Sequence, residues 1–109
     1  MAFDAGLAER VRETLEDATG VTEKRMFGGI VFLRNGNMFV GVVESSLMVR
    51  VGPVVYPKAL AMPGAREMDF TGKPMTGYVF VDDEGTRQDK DLAAWVERGL
   101  AFVKTLPKK

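Results

Sequence analysis

A chain of 109 residues with 46% apolar and 28% charged side chains has the balance of one globular domain with a single core, and argues against wholesale disorder. Its 15 basic and 15 acidic residues cancel, removing the basic excess that carries sequence-independent affinity for nucleic acid. With no cysteine and no histidine, disulfides, thiolate metal sites, cysteine nucleophiles and imidazole bases are excluded, leaving carboxylates, Lys, Tyr or a cofactor for any catalysis.

No apolar run approaches the roughly 18–20 residues that cross a bilayer. The opening "MAFDAGLAERVRE" carries acids early, without the basic and apolar regions of a secretory signal. A cytoplasmic protein is expected. "FDAGLAERVRETLEDATG" then reads as an amphipathic helix, with Asp4 as N-cap, Leu7, Val11 and Leu15 on one face, and Gly20 as its left-handed stop.

From Lys24 the period shortens to that of a strand. "KRMFGGIVFL" and "MFVGVV" flank "RNGN", where Asn35-Gly36 is a strong hairpin signal. A tight "ESS" connection leads into "LMVRV", with Leu47, Val49 and Val51 facing one way and Met48 and Arg50 the other. This is the alternation of a sheet buried on one side. Gly52-Pro53 ends that strand.

"VVYPKALAMPGA" predicts a short helix with Pro57 in its first turn and Pro63-Gly64 at its stop. "REMDF" and "PMTGYVFVDD" read as two further strands joined through "TGK", the second apolar on both faces through Tyr78, Val79, Phe80 and Val81. "DDEGTRQ" reads as a polar turn, and "DKDLAAWVERGLAFVKTL" as a closing helix with a stripe of Leu92, Val96 and Val103 widened by Trp95, Leu100 and Leu106. The expected order is α-β-β-β-α-β-β-α, a two-layer α+β domain with helices on one face of an antiparallel sheet.

Three stretches invite a chemical reading. "KRMFGG" combines cations with paired glycines, but a phosphate loop of the GxxxxGK[ST] kind needs a helix after the glycines, and none follows. Gly28-Gly29 is therefore read as lying within a strand, at a bulge or where another element packs against bare backbone. In "REMDFTGKPM", Lys73 and Arg66 offer a grip for an anion, and Met75 with Tyr78 offers an adaptable apolar surface, beside the plainer reading of a solvated hairpin connection. Asp82, Asp83 and Glu84 lack the DxDxDG spacing of a calcium loop and read as solvated turn acids. Seven methionines suit the irregular gaps of a glycine-rich core, with Met48, out of phase with Val49, given a route to solvent.

Together "KRMFGG", "GNMFVGVV", "LMVRVG", "PGAREMDFTGKPM" and "YVFVDDEG" through "LAAWVERGLAFVKTLPKK" resemble the TfoX amino-terminal domain family over nearly the whole chain. The resemblance implies a two-layer fold of the secretion-chaperone-like kind. It also implies a regulator of natural competence, a role in which full-length members act with the cyclic-AMP receptor protein and carry a second, helical domain. The chain stops at "TLPKK", where the first domain would end, so a single-domain member is expected.

The leading expectation is a non-enzymatic module contacting a protein partner, a transcription regulator in the family's setting, through Arg25, Phe27, Arg66, Lys73, Met75 and Tyr78. No catalytic residue, cofactor or metal is assigned, and neither direct nucleic-acid binding nor a membrane role is expected. The alternative is a small-ligand or anion sensor built on the Gly28-Gly29 backbone and its neighbouring cations. A homodimer through a strand edge or the spare apolar face is left open.

Overall fold

The computed structural model describes residues 3–26, 28–68 and 75–108. Helix α1 (Ala5–Thr14) starts where expected: the Asp4 carboxylate accepts the Leu7 N–H at 3.1 Å, and Leu7, Ala8 and Val11 are buried. It closes at Leu15 rather than at Gly20. Gly20, at φ 74°, belongs to the turn into the first strand, where its carbonyl accepts the Asn35 N–H at 3.0 Å.

The next 30 residues form a meander of four strands: β1 (Val21–Met26), β2 (Gly29–Arg34), β3 (Asn37–Val43) and β4 (Ser46–Arg50). "KRMFGGIVFL" is thus two strands, not one, because the chain reverses between Met26 and Gly29. Gly28 sits in that reversal at φ 72°, in the left-handed region that glycine enters without penalty. The sheet gains a strand that alternation alone did not separate. Asn35 and Gly36, at φ 52° and 83°, make the expected two-residue turn, with Arg34 opposite Asn37.

Pairing of β2 with β3 slips once. Phe32 faces Val40 and Leu33 faces Met38, so Phe39 is an extra residue in a bulge. Consecutive residues Phe39 and Val40 are consequently both buried in the same core, at 0% exposure.

Beyond β4 come α2 (Tyr56–Leu60), with Pro57 in its first turn as expected, β5 (Ala65–Glu67) and β6 (Tyr78–Val81). β6 inserts beside β4 and leaves β5 outermost, giving the antiparallel order β1-β2-β3-β4-β6-β5. The polar-turn reading of "DDEGTRQ" is also corrected. Residues Asp83–Thr86 form a short helix, α3, whose Gly85 and Thr86 are buried, and the Thr86 carbonyl accepts a 2.7 Å hydrogen bond from the Arg10 guanidinium. Helix α4 (Asp89–Val103) follows and buries the expected stripe of Leu92, Trp95, Val96, Leu100 and Val103.

The helices cover one face of the sheet. α1 and α4 enclose the larger core with Ile30, Phe32, Val40, Val42, Leu47, Val49, Val79 and Val81. The architecture is a two-layer α+β fold with six strands and four helices among the described residues. Among those residues no helix is long and apolar enough to cross a membrane.

Candidate interaction surface

Strand alternation sends every second side chain to the face the helices do not cover. There Val31, Val43, Met48, Met68 and Phe80 form a second buried cluster, with Met26, Leu33, Met38, Met75 and Tyr78 half-buried around it. Five of the seven methionines therefore share one face of the sheet. Met48 is fully buried and not open to solvent. Its methyl group lies against Gly41, where a Cβ would stand 3.1 Å from it and 2.9 Å from the Ile30 carbonyl, so glycine here makes room for the thioether. An unbranched, polarisable side chain fills such an irregular gap well.

The two ends of this face differ electrostatically. At one end, Arg66 on β5 donates to both oxygens of Asp82 at 2.8 and 3.2 Å and to Ser46 Oγ at 3.2 Å, while Ser46 donates to Asp82 at 2.7 Å. The Arg66 guanidinium also stacks 4.8 Å over Phe80. Hydrogen bonds from Arg66 and then Ser46 hold the Asp82 carboxyl below its ordinary value of 3.8. Asp82 is thus the centre of a closed network and no loose turn acid. Among the described residues no group of three or more His, Cys, Asp or Glu is arranged to hold a metal ion.

At the other end, Arg50 closes β4 directly opposite Tyr78 of β6. Its guanidinium lies between two rings, 5.6 Å from Tyr78 and 5.3 Å from Phe102 of α4, with a 3.4 Å contact from Nη1 to the Met38 carbonyl. Among the described residues Arg50 makes no ion pair, whereas Arg10, Arg12, Arg66 and Arg87 each hold a carboxylate. Val54, in the turn just after β4, stands 90% exposed.

The residues singled out from the sequence do not converge on one patch. Arg66, Met75 and Tyr78 share the helix-free face, and Arg66 is committed to Asp82. Arg25 lies on the opposite face, paired across from Ile30 on edge strand β1 and stacked 5.3 Å over Phe3. Phe27 and Lys73 lie outside the described residues. Arg50, Met38, Leu33 and Met26 are surface residues that the sequence did not single out. The phase of "LMVRV" already placed Met48 and Arg50 together, but nothing local revealed that Tyr78, some 30 positions later, would stand opposite. Gly28-Gly29 stands at the reversal into β2, with a strand and no helix after it. Gly29 pairs with Met26, and a Cβ on it would collide with the Val42 carbonyl.

The profile of the TfoX N-terminal domain matches residues 13–103, from the last turn of α1 to the final residue of α4. The chain belongs to the TfoX N-terminal domain family. Neither the curated proteins nor the solved structures yielded a match. In this TfoX N-terminal domain the matched stretch contains all six strands and the whole methionine-rich face.

Proposed function

We propose that this TfoX N-terminal domain is a non-enzymatic protein-interaction module of a competence-linked regulator, with the helix-free face of its sheet as the contact surface. The observation that carries this reading is the ring of half-buried Met26, Leu33, Met38, Met75 and Tyr78 around the second cluster. Methionine and aromatic side chains adapt to a partner's shape and are enriched at interface cores. A chain without histidine or cysteine and with its Ser46–Asp82–Arg66 network closed on itself offers this surface more readily than a reactive group.

The test replaces Met38 and Met75 by Glu, separately, in the native host. Co-purified proteins and transcription of competence genes are then quantified, with circular dichroism confirming the fold. Loss of the same co-purified protein and of the transcriptional response in both variants is the expected result. A partner set and response equal to wild type in folded variants would overturn the proposal.

A further inference from the structure

We infer that the partner segment seated on this face is a peptide with an acid beside a large apolar side chain, whose carboxylate docks on Arg50; this rests on the interaction reading above. Arg50 is half-buried at the edge of an apolar surface, and a guanidinium is costly to desolvate unless an anion receives its donors. Two rings lie within cation–π reach of it, while among the described residues only one of its N–H groups has an acceptor, the Met38 carbonyl at 3.4 Å. Such a guanidinium is pre-organised, so little side-chain entropy remains to be lost when a carboxylate binds both of its prongs. Tyr78 and Met38, which touch it, belong to the half-buried ring around the second cluster, and that ring accepts a Leu, Met or Phe side chain set near the acid.

Charge selects among occupants. In a second copy of this face the Asp82 carboxylate is already taken, because Arg66 and Ser46 hold it. Nucleic acid needs several phosphate contacts for useful affinity, and among the described residues Arg50 is the cation that stands against the rings at this end of the face. A peptide carboxylate satisfies a single fixed fork.

The experiment selects a random-peptide display library on the immobilised full chain. An enriched peptide and its Asp/Glu-to-Asn/Gln analogue are then titrated against wild type, Arg50→Gln, Arg50→Lys and Met38→Glu. Enriched peptides are expected to carry an acid within a few residues of Leu, Met or Phe. Neutralising that acid or making Arg50→Gln should each weaken binding about tenfold or more, with Arg50→Lys also weaker and the combined change adding little, as for a direct charge pair. Peptides that lack acids, lose binding with Met38→Glu and ignore Arg50→Gln would overturn the carboxylate anchor and leave the interaction reading standing. No enrichment at all would overturn both. Arg50-dependent binding of a labelled single-stranded oligonucleotide, or Arg50-dependent dimerisation in light scattering, would also overturn the anchor.

Discussion

Neighbouring glycines 28 and 29 do different work, and substitution separates them. Gly28 needs its positive φ of 72° but has no atom within 4 Å of a would-be Cβ, so Gly28→Ala meets only the backbone penalty, about 1 kcal/mol. Gly29 has ordinary strand backbone but lies against the Val42 carbonyl, which cannot swing away. Gly29→Ala should therefore cost about 3 kcal/mol, as overpacking against main chain does. Urea unfolding midpoints check the order, and equal losses would refute the division of labour. Asp82 supplies a second residue-scale case. A carboxyl held below its ordinary 3.8 by Arg66 and Ser46 contributes stability that is complete above that value and is lost as pH falls through the lowered one. Both partners are about half exposed, 48% and 47%, so solvent screening limits the pair to about 1 kcal/mol or less. In Asp82→Asn, melting temperature should fall less steeply with acid below about pH 4 than in wild type; an unchanged slope would show that the network carries no charge-dependent stability. Glu23, lowered by its hydrogen bond to Arg12, remains in that variant and accounts for part of the residual slope.

Elements whose signals lie within a few residues of one another are legible in the sequence itself. The Asp4 cap, the Asn35-Gly36 turn and the stripe of α4 are each set by local rules, and each stands where those rules put it. What escaped needed distant partners. Phe39 alternates like any strand residue, and only its unpaired position opposite β2, with α4 behind it, makes it a bulge. The same holds for Arg50 and Tyr78, and for α3, whose polar sequence gives no sign that Gly85 will be buried against the Pro63 carbonyl. Helix α4 meets that bulge through Gly99, where a Cβ would stand 2.6 Å from the Phe39 carbonyl. Glycine is here a means of approach, since it weakens a helix by about 1 kcal/mol relative to Ala. Gly99→Ala should thus destabilise by about 1–3 kcal/mol despite its better helix propensity. A denaturation midpoint at or above wild type would mean that α4 can lift off β3 without loss.

Across the described residues, the open six-stranded sheet has two edges and two faces, and helices roof one of those faces. Unpaired edges are templates for another chain unless charge, shortness or irregularity blocks them. β5 is three residues long and carries Arg66 and Glu67. β1 is six residues long, and its blockade is chemical: Thr22, Glu23, Lys24 and Arg25 are all exposed, and Glu23 is fastened to Arg12 through 2.8 and 2.9 Å hydrogen bonds. Continuing the sheet through two antiparallel copies of β1 with faces preserved requires residues of like phase to oppose one another. Centring that pairing on Lys24 sets Lys24 against itself but also Glu23 opposite Arg25 on either side, whereas centring it on Glu23 sets two acids together, so the Glu23-centred register is the repelled one. The edge is guarded by residue choice, four consecutive exposed polar side chains standing along it. Lys24→Ile with Arg25→Thr removes the guard while keeping good strand formers. Light scattering across a concentration series should then show the variant associating where the wild type stays monomeric. A variant that stays monomeric, or a wild type already paired through β1, would mean that something other than edge charge controls self-association.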